Sequence, residues 1–131
     1  MGLNYIWDTN TVIYYFNKQF PLAGEVFIDD LLINNKPAIS VVTEIELLCW
    51  RSSSENDIVI LKKFISDAIV YELDRDVKLN TIEIRKRFNL RLPDAIIAAS
   101  ALVNNHILIS RNVSDFNRIP ELKVINPFEI V

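Results

Sequence analysis

The sequence predicts an α/β domain: a central, mainly parallel sheet of about five strands flanked by helices. Three observations carry that prediction. Short apolar runs of strand length recur along the chain, and longer segments with three-and-four apolar spacing separate them. No Asn-Gly type turn joins two neighbouring runs, so each strand reaches the next through a helix, as parallel pairing requires.

The elements follow in order. Leu3 to Trp7 is an apolar run that stops on Asp8, with Thr9 or Asn10 placed to cap a short buried helix over Thr11–Phe16. Pro21 punctuates, and Val26, Phe27, Leu31 and Leu32 mark the inner face of a second helix that ends in Asn34-Asn35-Lys36-Pro37. Ala38–Val42 is the second strand. Thr43 is expected to cap the next helix in a Thr43-x-x-Glu46 capping box, with Ile45, Leu47, Leu48 and Trp50 facing inward. Ser52-Ser53-Ser54 reads as a loop, and Glu55–Asp67 as a helix with Ile58, Leu61, Phe64 and Ile65 inside. Ala68–Tyr71 is the third strand. Asp74–Phe88 returns to helical spacing through Val77, Leu79, Ile82, Ile84 and Phe88. Leu92-Pro93-Asp94 opens an almost uncharged helix to Val103, whose small residues suit a central place against the sheet. His106–Ser110 is the fourth strand and Lys123–Ile125 a short fifth.

Composition narrows the classes. At 131 residues, half of them apolar, the chain is expected to form one domain, 1–131, with a substantial core. No apolar stretch approaches the roughly 20 residues of a membrane span. The start has no basic region leading into an apolar run and a small-residue cleavage site, so a cytoplasmic protein is expected. The single Cys49, between Leu48 and Trp50, has no disulfide partner and reads as a core residue. A net charge of -3 argues mildly against unspecific nucleic-acid binding, an argument that weakens if several acids are committed to a cation.

Four acids fall at comparable places in this scheme: Asp8 at the end of the first strand, Glu46 in the first turn after the second, Asp94 in the first turn of the helix before the fourth, and Asp115 just beyond the fourth. In a parallel sheet these positions share the carboxyl edge where ligands bind. Like charges gathered there need a cation, and hard oxygen donors without clustered His or Cys select Mg2+ or Mn2+. Each acid also has a structural role open to it: Asp8 as a cap, Glu46 in its capping box, Asp94 on the helix dipole and Asp115 as the cap of a short turn through Phe116. Glu44 is a rival to Glu46 that would point elsewhere on the helix. The lone His106 opens a strand in an apolar setting and reads as structural.

The segments DTNTVIYYF, ISVVTEIELL, RLPDAIIAASAL and ILISRNVSDF, in that order and spanning nearly the whole chain, resemble PIN-domain ribonucleases. Within that family the chain is similar to the VapC toxins of bacterial and archaeal toxin–antitoxin pairs. The resemblance implies a Mg2+- or Mn2+-dependent endoribonuclease whose acids are Asp8, Glu46, Asp94 and Asp115. Asp8, Asp94 and Asp115, with Glu46 directly or through water, would hold one or two ions. Asn112 is the alternative fourth position and otherwise a polar helper. Asn10, Thr43 and Ser110 match supporting polar positions, and Cys49-Trp50 departs from the small residue or Gly that many relatives carry. The resemblance also implies 5'-phosphate and 3'-hydroxyl products, a homodimer and a small antitoxin that blocks the site, often with an Arg among the acids. Arg111 is the expected RNA contact beside the site; Arg85 and Arg91, with Lys86 and Arg87, are further candidates on what is otherwise a solvated helix face.

Other classes fit less well. An aspartyl-phosphate phosphotransferase wants a second acid two residues after Asp8, where Asn10 stands. A receiver-like signalling module wants an acid pair at the first strand and a late Lys. A PIN domain that binds RNA or protein without cutting would not need all four acids.

Overall fold

The computed structural model describes residues 3–50 and 54–131. Ser52 and Ser53 of the expected loop therefore lie outside the described residues. The element order is β1 (Tyr5–Trp7), α1 (Thr9–Phe16), α2 (Leu22–Asn34), β2 (Ala38–Ser40), α3 (Val41–Leu48), α4 (Glu55–Asp67), β3 (Ile69–Tyr71), α5 (Arg75–Arg87), α6 (Leu92–Val103), β4 (Ile107–Ile109), α7 (Val113–Phe116) and β5 (Val124–Ile125). The five strands run in the order β3-β2-β1-β4-β5, and every pairing is parallel. The sheet is thus wholly rather than mainly parallel, and β1 lies at its centre.

Strand alternation divides the core between two faces of this sheet. Ile6 stands in register with Ala38 and Leu108, and these pack with Val77, Ile84 and the Ala95–Ala101 stretch on the α5–α6 side. Trp7 stands in register with Ile39 and Ile109, and these pack with Val12, Ile28, Leu47, Leu61 and Ile65 from α1 to α4. Strands covered on both faces must be apolar throughout, which is why the strand runs lack polar alternation. Every residue from Ala95 to Ala101 is buried. The small side chains of α6 let it lie close to both the sheet and α5 and fill the centre of its layer.

Local chemistry moves several boundaries. Asp8, rather than Thr9 or Asn10, caps α1 by accepting the Thr11 N–H. Ser40, rather than Thr43, caps α3 by accepting the Val42 N–H, so Val41 and Val42 join the helix instead of the strand. The expected Thr43–Glu46 capping box does not form. With its cap three residues earlier, α3 turns Thr43 and Leu47 inward, while Ile45 and Leu48 are exposed. Cys49 follows the helix end and is exposed rather than buried. Val26, Ile58, Leu79 and Ile82 are likewise exposed, because Ile28, Leu61, Val77 and Ile84 take the inward places on their helices. The Ser54–Asp57 capping box that starts α4 is complete in both directions. Among the described residues no helix is long and apolar enough to cross a membrane.

The end of the chain is seated on α2 at Gly24. A Cβ built at that position would lie 2.1 Å from the carbonyl oxygen of Pro127, so only glycine permits the contact. Gly24→Ala should therefore destabilise the protein by about 1–3 kcal/mol through displacement of the 126–128 segment, although helix propensity alone favours alanine by about 1 kcal/mol. Urea unfolding of the variant checks the sign; an increase in stability would show that the segment yields freely.

Candidate active site

The carboxyl ends of β1 and β4 lie side by side, and the site grows from their junction. Asp8 leaves β1 with its backbone N–H donated to Ile109 O at 3.2 Å. Its Oδ1 accepts from the Thr11 N–H at 2.8 Å and from the Thr11 hydroxyl, which also lies 2.8 Å from Ile109 O. Because a hydroxyl has one proton, Thr11 donates to one oxygen at a time and ties β1, α1 and β4 together in either case. Asp8 is only 7% exposed. Burial pushes its carboxyl above the ordinary carboxylate range, hydrogen bonds from Ser110 and Thr11 pull it down, and the Asp94 charge pushes it further up.

Glu46 lies in the second turn of α3, not the first, as a consequence of the Ser40 cap. Its Oε1 accepts the Thr9 hydroxyl at 2.6 Å, and Thr9 stands 3.1 Å from the Thr43 hydroxyl. With the Thr9 proton given to the carboxylate, the buried Thr43 hydroxyl donates to Thr9, and the chain Thr43–Thr9–Glu46 joins α3 to α1. No side-chain hydrogen bond connects Glu44 to this chain among the described residues, which favours Glu46 over its rival.

Asp94 sits in the first turn of α6 with its side chain 14% exposed. Burial raises its pKa; Arg91 lowers it, while the Asp115 and Glu46 charges raise it. The Arg91 guanidinium reaches Asp94 Oδ2 only at 3.4 Å. Asp115 lies within α7 rather than capping it, accepts Asn112 Nδ2 at 2.9 Å and stands 3.5 Å from Arg118. Asn112 is at the α7 cap position, and its own N–H is held by Ser110 Oγ at 3.0 Å.

The expected acids thus share one rim and feel one another: Asp8 responds to Asp94, and Asp94 to Asp115 and Glu46. Among the described residues no three His, Cys, Asp or Glu stand close enough to form a finished metal cage. The donor set is nonetheless all oxygen and mutually repelling, and its central member already draws a guanidinium, which is the chemistry a hard cation fits. Asn10 is exposed and takes no part in these hydrogen bonds. Arg85 donates to Leu90 O at 2.8 Å, and Arg111 lies over the Phe128 ring. His106 bonds the Tyr71 hydroxyl at 2.8 Å, as a structural residue would. Sequence reasoning missed Thr9 and Thr11 as connectors. The Asp-x-x-Thr spacing from Asp8 to Thr11 was the available signal, since it is the geometry of a side-chain cap.

A family model described as the PIN domain matches residues 5–122. The chain belongs to the PIN-domain family. Among solved structures it is similar to a chain of VapBC2 from Rickettsia felis bound to a DNA fragment from their promoter, at 26% identity and TM-score 0.80, over 95% of this chain and 98% of that one. A toxin–antitoxin complex from Klebsiella pneumoniae matches at 27% identity and TM-score 0.77, over 97% of this PIN domain and 100% of that chain. VapBC-1 from nontypeable Haemophilus influenzae shares the fold at 24% identity and TM-score 0.82, over 97% and 100% of the two chains. No curated protein matches the sequence.

Asp8 permits a test that separates its charge from its cap. A raised carboxyl pKa means that the Asp8 contribution is fully present below the unfolded value of roughly 4 and is lost as pH rises through the folded one. In the presence of chelator, Asp8→Asn, which still accepts the Thr11 N–H, should melt at or above the parent at neutral pH, and the gap should close as pH falls. Asp8→Ala, which also loses the cap, should stay about 1–2 kcal/mol below Asp8→Asn at every pH. A less stable Asn variant at neutral pH would contradict the burial argument.

Proposed function

We propose that this PIN domain is a divalent-metal-dependent endoribonuclease acting as the toxin of a toxin–antitoxin pair. The observation that carries the proposal is the placement of Asp8 after β1, Glu46 on α3, Asp94 in the first turn of α6 and Asp115 on α7 after β4, in a chain of this family. Asp8, Asp94 and Asp115 would hold one or two Mg2+ or Mn2+ ions, with Glu46 directly or through water. When bound, the ion supplies Lewis-acid activation of water and offsets charge developing on the phosphoryl oxygens.

The chain's own groups supply the rest. Glu46, oriented by the Thr9 hydroxyl at 2.6 Å, or Asp94 accepts the proton of the attacking water. Asn112, fixed between Ser110 and Asp115, orients that water through its amide. The water oxygen bonds to phosphorus, the bond from phosphorus to the 3'-oxygen breaks, and that oxygen takes a proton from solvent water to leave as the 3'-hydroxyl while the phosphate stays on the 5' side. No protein nucleophile is consumed.

The VapBC and toxin–antitoxin neighbours support an antitoxin partner. The Arg91 guanidinium on Asp94 illustrates the group with which such a partner would block the rim. Exposed Leu22, Ile33, Ile45, Leu48 and Val59 offer apolar area for that partner and for a second copy in a homodimer.

Purified protein incubated with structured RNA and Mn2+ should cut it, EDTA should stop the reaction, and Asp8→Asn should abolish it. Glu46→Gln, which keeps the Thr9 contact, should lower kcat by about a hundredfold. Gel analysis of end-labelled RNA reads all four cases. Cleavage that persists in EDTA, or in the Asp8 variant, sinks the metal-nuclease mechanism.

A further inference from the structure

Arg111 differs from most other arginines in how its donors are used. Arg85 binds the Leu90 carbonyl, Arg87 pairs with Glu121, Arg91 with Asp94, and Arg118 with Asp115. The Arg111 guanidinium carbon instead lies 4.0 Å from the Phe128 ring centroid and 5.7 Å from that of Tyr14. Among the described residues it forms no ion pair or side-chain hydrogen bond. A guanidinium stacked on a ring is held by its face, so its in-plane N–H donors remain free.

The rings beneath it are fixed. Tyr14 and Phe128 meet edge to face at 5.0 Å, and Phe20 packs on Phe128 at 5.5 Å. The Phe128 N–H is held by Asn126 Oδ1 at 2.9 Å, and Pro127 is seated on Gly24. The root of Arg111 is also held, because on its far side Asn112 donates its N–H to Ser110 Oγ and its amide to Asp115. The result is a cation with unspent donors, held at both ends beside an acidic rim.

We propose that Arg111 binds an RNA phosphate flanking the scissile bond, and that Phe128 is the positioning residue that aims it. The proposal rests on the nuclease reading of the same site. RNA is favoured over an acidic protein partner because the arginine adjoins Asn112, which holds Asp115 among the site acids. A polyanion brought to those acids needs compensating positive charge at that point.

The test measures binding of a fluorescein-labelled single-stranded RNA by anisotropy over a salt series, in an Asp8→Asn background that leaves the probe intact. Arg111→Gln should weaken binding and reduce the slope of log affinity against log salt by about 0.7. Phe128→Leu keeps every charge and should weaken binding by about two- to fivefold. In the cutting protein it should raise KM by a similar factor with kcat unchanged, as expected for a contact made equally in ground and transition states. Phe128→Tyr, which keeps the ring face, should restore both.

An unchanged salt slope in Arg111→Gln overturns the proposal, as does unchanged RNA binding accompanied by weaker binding of a purified antitoxin. Unaltered binding and KM in a folded Phe128→Leu protein overturn the positioning role. Should that variant unfold, the exposed Arg111→Gln substitution decides alone. Failure of the parent protein to cut RNA with Mn2+ rejects the nuclease reading itself, whereas an unchanged slope in a protein that cuts RNA rejects only the Arg111 assignment.

Discussion

A carboxylate removed from water must be met by hydrogen bonds or by opposite charge, and the centre of this fold is arranged around that demand at Asp8. Thr11 and Ser110 supply the hydrogen bonds, and they do so from α1 and from the end of β4. The same contacts close the junction between β1, β4 and α1, so the group that costs most to bury is also the one that fixes the angle at which α1 leaves the sheet. What the protein does not supply at Asp8 is a positive charge. The charged influence it feels is Asp94, another acid, which raises its pKa further.

The remaining acids are held by lighter means. Glu46 is exposed and steered by a hydroxyl; Asp115 is shared between Asn112 and Arg118; Asp94 has a long contact to an exposed arginine. Each contact is weak enough to be exchanged. The rim is thus held tightly at Asp8 and by lighter, exchangeable contacts at its edges.

Much of this was legible in the sequence because two periodicities are hard to disguise. The short, mostly apolar runs at Leu3–Trp7 and His106–Ser110 read as strands covered on both sides, and the uncharged stretch after Asp94 as an interior helix. The family match supports the fold read from these segments. What stayed hidden was orientation. Leu22–Asn34 and Val41–Leu48 carry apolar residues around most of their circumference, so spacing alone did not show that Ile28 and Leu47 point inward while Val26 and Ile45 do not. The cap positions were misassigned for a related reason: Thr9, Asn10 and Thr43, one to three residues beyond Asp8 and Ser40, are capping residue types as well. The Phe128–Arg111 stack joins residues far apart in the chain and left no trace in either periodicity.

The strand order has a bearing on how such a chain is made. β1 is synthesised early, yet its partner β4 lies at Ile107–Ile109, and the last of the rim acids follows at Asp115. Until that part of the chain has left the ribosome, β1 lacks one neighbour and Asp8 lacks both the Ile109 carbonyl beside it and the Ser110 hydroxyl. The acidic rim is therefore complete only once nearly the whole chain is available to fold.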